Sequence, residues 1–202
     1  MEDLEGLAWR NCDPDDLWIF DKLIVSRKLG YNCGPVGTDV PTPGDYIVRP
    51  CCNIPGMGRG AKIVHIEKDT YDHPECPSGH FWCELFTGRH ISVDYHRGLP
   101  ILSVEGFREN PNDPFYRFSK WKKVEHDWYM PTVFFPLTKK YEYINIEYIG
   151  GKVIEVHLRH NSDFSYGNDV MIPVWEDQEV NVPSGFRFIE GRDYLRKGMY
   201  VK

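Results

Sequence analysis

Two carboxylates late in the chain, Glu147 and Glu155, stand on β-rich runs at 143–149 and 152–158 joined by Gly150-Gly151. Carboxylates that converge offer hard oxygen ligands to a divalent cation; carboxylates that diverge are solvated charges. Side chains alternate along a strand, so pairing register decides between the two. With a two-residue turn, Ile149 faces Lys152 and Glu147 lies opposite Ile154, away from Glu155. A one-residue bulge or a four-residue turn would bring both acids to one face, and spacing alone leaves both arrangements open.

Three other constellations carry chemistry. His73-x-x-Cys76 followed by His80-x-x-Cys83 supplies four nitrogen and sulfur ligands with spacings a tetrahedral zinc site could use. If Cys83 sits on a strand beside Glu84, however, its side chain points to the opposite face. Cys51-Cys52 lacks the C-x-x-C spacing of thiol oxidoreductases and reads as small buried residues. Arg117 to Lys123 mixes cations with aromatic rings and could contact single-stranded nucleic acid. The whole chain, with 24 basic and 30 acidic residues and a net charge of -6, argues against a broad nucleic-acid footprint.

These residues need elements to hold them. Apolar positions Leu17, Phe20, Ile24 and Leu29 recur at helical spacing after Asp-Pro-Asp-Asp and stop at Gly30, which predicts a helix over 15–29. A Gly- and Pro-rich loop leads to a strand at 46–49. Gly56, Gly58 and Gly60 then lie between two β-rich segments and fit a flexible hairpin turn. Two strands broken at Thr87-Gly88 are expected over 80–95, a strand over 101–107, and a short helix within 115–128. The hairpin about Gly150-Gly151 completes the set. Sheet should exceed helix, since glycines and prolines recur throughout and 14% of residues are aromatic.

The 202 residues suffice for one core, expected as a single domain with lobes at 15–80 and 81–202. Composition, at 41% hydrophobic and 27% charged, is that of ordinary globular chains. The acidic N-terminus shows no export signal and no long apolar stretch occurs, which predicts a cytoplasmic protein with no membrane span and with its six cysteines reduced.

Taken in order, segments between residues 21 and 159 resemble the ATP-grasp superfamily, whose members sandwich ATP between two α+β lobes and activate a carboxylate as an acyl phosphate. FDKLIVSRKLGYNCGP is similar to the family's helix opening with Asp-Lys, with Lys22 in the place of a phosphate-contacting lysine. YIVRPCCNIPGMGRGAKIV looks like the strand ending in a cation and Pro followed by a glycine-rich lid; Arg49 stands where lysine is usual, and Gly56, Gly58 and Gly60 would let backbone N–H groups approach phosphate. HFWCELFTGRH resembles the hinge strand. There Glu84 and backbone groups up to Leu85 would meet adenine, and His90 would lie near the ribose. INIEYIGGKVIEVHLR resembles the metal-binding hairpin, with Glu147, Glu155 and His157 as ligands and Arg159 after them.

His157 departs from the family's asparagine. Imidazole is a poorer Mg²⁺ ligand than an amide oxygen, so Mn²⁺ preference, a weakly held metal or reduced activity is expected. The resemblance implies an α+β, ATP-grasp-like fold with two lobes of mainly antiparallel sheet around a nucleotide cleft, and ATP with Mg²⁺ as cofactors. It implies a ligase joining small-molecule or peptide carboxylates to amines, with Arg49 and Arg159 acting on the transferring group. Arg108, Lys120 and Lys122 are further candidate triphosphate contacts. The family carries an N-terminal α/β domain ahead of the first segment, whereas here only the residues before Asp15 precede it. A partner protein or the C-terminal region is therefore expected to complete the cleft. The alternatives are a reduced ATP-grasp domain that binds a nucleotide or protein without chemistry, and a zinc-containing structural module.

Overall fold

In the computed structural model, residues 4–52, 58–110, 112–125, 128–161, 164, 167–193 and 195–202 are described. Helix α1 (Leu4–Arg10) leads to a 3₁₀ helix, Pro14–Phe20, and then to α2 (Lys22–Lys28). The single helix expected over 15–29 is thus split at Asp21. Asp21 is extended, and its carboxylate accepts from the Leu23 and Ile24 backbone N–H groups, at 2.9 and 3.1 Å. It satisfies two of the orphan donors that open a helix, so the chain restarts there and Lys22 becomes the first residue of α2. Gly30, at φ +75°, ends the run.

Four strands, β1 (Cys33–Pro35), β2 (Gly44–Pro50), β3 (Lys62–Ile66) and β4 (His80–Glu84), form an antiparallel sheet in the order β1-β4-β2-β3. Alternation along β4 sends Trp82 to one face, with Val40, Tyr46, Val48, Val64, Ile66 and Cys76. Phe81 and Cys83 go to the other face, against Leu23 of α2.

Residues 85–89 cross to a second sheet. It holds β5 (His90–His96), β6 (Leu99–Phe107), β7 (Lys120–Val124), β8 (Tyr143–Ile149), β9 (Lys152–His157), β10 (Val170–Trp175), β11 (Arg187–Asp193) and β12 (Arg196–Val201). The order is β11-β12-β10-β7-β6-β5-β8-β9, again with antiparallel ladders. The passage between sheets falls after Glu84, so β4 belongs to the first sheet. The fold is α+β, two antiparallel sheets with few helices, as expected.

Alternation along β5 and β8 divides their side chains between the two faces of the second sheet. Ile91, Val93 and Tyr95 of β5 and Ile144, Ile146 and Tyr148 of β8 pack with Phe20, Phe134 and Leu137 into the main core. The intervening residues, Ser92, Asp94, Asn145 and Glu147, face the other side. The helix expected within 115–128 is instead β7, paired on both edges by β6 and β10; ladder bonds outweigh the weak local preference of Lys-Trp-Lys-Lys-Val. Strands β10 to β12 were not anticipated. No helix among the described residues is long and apolar enough to cross a membrane.

Candidate functional site

Glu147 and Glu155 are direct cross-strand partners. The ladder starts as the two-residue turn requires, with Ile149 opposite Lys152 and Tyr148 opposite Val153, then skips Ile154. This one-residue bulge turns Glu155 to the face of Glu147 and leaves the Ile154 carbonyl outside the regular ladder. The Arg49 Nη1 donates to that carbonyl at 2.9 Å. The Lys22 ammonium lies 3.2 Å from the Glu155 carboxylate, both side chains buried. Thus the end of β2, the first turn of α2 and the β8–β9 hairpin meet at one point.

Arg49 is 7% exposed, with its guanidinium 5.1 Å from the Phe81 ring centroid. Its Nε is the one buried side-chain nitrogen or oxygen among the described residues with no hydrogen-bond partner. Burial lowers its pKa, against the opposing pull of Glu155 and Glu147. The unpaired Nε leaves this buried cation incompletely compensated within the chain.

The acids have further partners. His90 Nε2 is 3.1 Å from Glu147, and its ring packs edge-on against Phe118 and Trp121. Burial would raise the Glu147 carboxyl, but the hydrogen bond and charge of His90, with His157 and Lys22, hold it down at about 2. His157, opposite Asn145 in register, sits between two carboxylates: Nδ1 is 2.9 Å from Glu5 and Nε2 is 3.6 Å from Glu155. Burial and Arg159 disfavour its charged form, yet Glu155 and Glu5 outweigh them and raise its pKa. Arg159 Nε donates to the same Glu5 oxygen at 2.6 Å. For Glu5, burial raises the pKa but His157 and Arg159 dominate and lower it to about 2. An imidazole committed to two carboxylates is not arranged as a metal ligand in this state.

Sequence reasoning did not find Glu5, because nothing local distinguishes it from other surface acids of an acidic N-terminus. Nor did it find the support behind Glu147. The Asn145 amide nitrogen donates to Ser92 Oγ at 2.9 Å and Asp94 Oδ1 at 2.8 Å, and Asp94 also accepts from the Asn161 backbone at 2.7 Å. Asn145, Glu147, Arg159, Asn161 and Trp121 line an open polar pocket on this face.

Other expected residues lie apart from this cluster or outside it. Glu84 accepts from the Asn32 backbone at 3.0 Å, at the edge where the chain leaves the first sheet, and Leu85 beside it is 37% exposed. Gly58 and Gly60 adopt φ of +64° and +84°, as a turn needs; Gly56 lies outside the described residues. Lys120 and Lys122 do not join the acids. Lys122 is in register with Glu105, and Glu105 with Ile91, so both lysines of that alternation fall on the opposite face of the sheet; Trp121 and Lys123 hold the acid-facing positions. Arg108 stacks over Phe115. The zinc constellation does not assemble: Cys76 and Cys83 are buried in clusters on opposite faces of the first sheet. No group of three or more His, Cys, Asp or Glu side chains placed to hold a metal ion occurs among the described residues, so Glu147, Glu155 and His157 do not form one either.

Neither a protein-family model nor a curated protein matches this chain. Solved structures similar to it include the ATP-grasp ligase PsnB with its minimal precursor (16% identity, 74% of this chain and 55% of that one, TM-score 0.43). D-alanine–D-alanine ligase of Bacillus anthracis with ATP matches at 14% identity, over 70% of this chain and 55% of that one, TM-score 0.40. L-amino acid ligase of Bacillus licheniformis matches at 12%, over 71% and 41%, TM-score 0.41. The chain spans about half the length of the solved structures it matches.

Proposed function

We propose that the chain binds Mg-ATP between its two sheets and is an ATP-dependent ligase that activates a carboxylate for attack by an amine. One observation carries this reading: Arg49, Lys22, Glu147 and Glu155, drawn from four separate elements, converge, and the buried Arg49 guanidinium keeps an unused donor. Isolated cations and acids on a surface need no explanation. A buried cation facing the bulge carbonyl, with two carboxylates on one face beside it, fits a phosphate chain and its divalent cation.

In this reading Lys22 and Arg49 neutralise phosphate, Glu147 and Glu155 hold Mg²⁺, and the turn at Gly58 and Gly60 covers the phosphates. The Glu84–Leu85 segment, where the chain changes sheets, meets adenine, and His90 orients Glu147. ATP supplies the transferable phosphoryl group, with Mg²⁺ offsetting its charge. The chain's own contribution is positioning and fixed electrostatics. Arg159 holds the carboxylate to be activated.

Fluorescence anisotropy with a labelled ATP tests the reading. Binding should need Mg²⁺ or Mn²⁺ and weaken at least tenfold in Glu147→Gln and in Arg49→Met. Equal binding by folded variants would overturn it. The rival reading, a nucleotide-binding domain without chemistry, draws on His157 being engaged by Glu5 and Glu155. ADP release across a panel of carboxylates and amines separates the two.

A further inference from the structure

The N-terminal helix brings a carboxylate into the site. One oxygen of Glu5 meets both His157 Nδ1 and Arg159 Nε, at 2.9 and 2.6 Å. Yet α1, which carries Glu5, has no buried residue. Among its other attachments are Trp9 stacked on Phe20, at 4.3 Å between centroids, and Ala8 against the core edge. Trp9 itself is 38% exposed. A helix needed for folding would bury an apolar stripe; α1 instead places a charged group where His157 of β9 and Arg159 of its continuation converge.

We propose that Arg159 and His157 form a carboxylate-binding fork whose resting occupant is Glu5, so that α1 is an internal ligand that a carboxylate ligand displaces. Arg159 also lines the open pocket with Asn145, Glu147 and Asn161, so an acid entering there reaches the same guanidinium. The fork selects a carboxylate because a guanidinium edge and an imidazole N–H both donate to one anionic group. A free acid and a peptide C-terminus share that chemistry. The proposal deepens the ligase reading by giving the acceptor subsite a built-in competitor, but it needs no nucleotide to be tested.

Calorimetric titration of the full chain with succinate, and separately with triglycine, supplies the test, because the first offers a free acid and the second a peptide C-terminus. Glu5→Gln should bind at least one of them at least tenfold more tightly than the unaltered chain, and adding Arg159→Gln should abolish that gain. The acid that responds identifies the source. No gain in Glu5→Gln, or a gain that survives Arg159→Gln, overturns the proposal. A second measurement on the unaltered chain guards against misfolded variants. Saturating succinate should speed hydrogen exchange of the α1 amides and of Asn11 and Cys12, which close on Leu7 and Trp9, relative to chloride at equal ionic strength. Unchanged exchange also overturns it. Carboxylate binding without any Mg-ATP binding would leave this inference standing and remove only the ligase reading.

Discussion

Glu147 and Glu155 face each other across β8 and β9 because β9 carries one extra residue, Ile154, whose carbonyl receives Arg49. A single bulge thus sets the direction of an acid and also frees the acceptor for a cation from the other sheet. The consequences for stability and binding can be separated by mutation.

Arg49→Met should destabilise the free protein modestly while weakening nucleotide binding. Losing the buried, incompletely bonded guanidinium relieves its desolvation, but it also leaves the Ile154 carbonyl without its donor and Glu155 and Glu147 with less compensating charge, for a net cost of about 1–2 kcal/mol. Urea unfolding should give a lower midpoint with an unchanged slope, and anisotropy a loss of at least tenfold in affinity for Mg-ATP. A gain in stability would show that the desolvation of Arg49 outweighs its contacts in the free chain.

Lys22 and Glu155 form a buried pair. Lys22→Met and Glu155→Gln should each cost about 3 kcal/mol, because each strands a buried charge or removes its compensation. The double variant should cost less than the two together by about 1–3 kcal/mol, the coupling expected of neighbours in contact. Denaturant unfolding of the four proteins measures that coupling; additive losses would mean the two side chains do not interact.

Much of this site is legible in the sequence because its cations and acids fall in short motifs. The cap at Asp21 falls inside the single helix expected over 15–29, whereas the Arg49-Pro50 strand end and the Gly150-Gly151 turn each declare their local geometry. The decisive step does not. Whether Glu147 and Glu155 converge depends on one bulge, and the spacing of a hairpin does not by itself place a bulge. Glu5 was invisible for a related reason, since it meets Arg159 154 residues away and no local pattern encodes such a contact. The helix expected within 115–128 failed because β6 and β10 supply ladder partners to Lys120–Val124 that composition cannot reveal. The zinc reading failed on alternation: Trp82 and Cys83 are neighbours, so only one of them can share a face with Cys76.

Acid should expose the Glu5 contact. Its carboxyl titrates at about 2 in the folded chain against an ordinary 4.5, so its folded pKa is depressed. The stability it contributes is complete above 4.5 and is lost as pH falls toward 2. His157 has the opposite sign: its pKa is raised above 6.5, so its contribution is complete below 6.5 and is lost as pH rises through the higher folded value. In metal-free buffer the unaltered chain should exceed Glu5→Gln in stability by up to about 3 kcal/mol near pH 5–6, with the gap closing toward pH 2. Urea titrations at several pH values check this; a gap that does not change with pH would mean the carboxylate's charge contributes nothing.

The two turn glycines should differ sharply. Gly150 and Gly151 both have positive φ, +55° and +83°, so alanine at either is strained by about 1 kcal/mol. A Cβ at Gly151 meets only the Trp128 ring edge at 3.9 Å, whereas one at Gly150 would overlap the Thr87 carbonyl. That carbonyl belongs to the 85–89 passage between the sheets, which Gly150 also holds through its N–H bond to the Arg89 carbonyl at 3.0 Å. Gly150→Ala must therefore push the passage away from the acid-bearing hairpin, at a further cost of about 1–3 kcal/mol. Thermal unfolding should rank unaltered chain, Gly151→Ala, Gly150→Ala in falling order. Because the same passage carries Leu85 and begins directly after Glu84, nucleotide affinity should fall in Gly150→Ala and hold in Gly151→Ala. Equal affinity in both would disconnect the hairpin from the adenine end of the cleft.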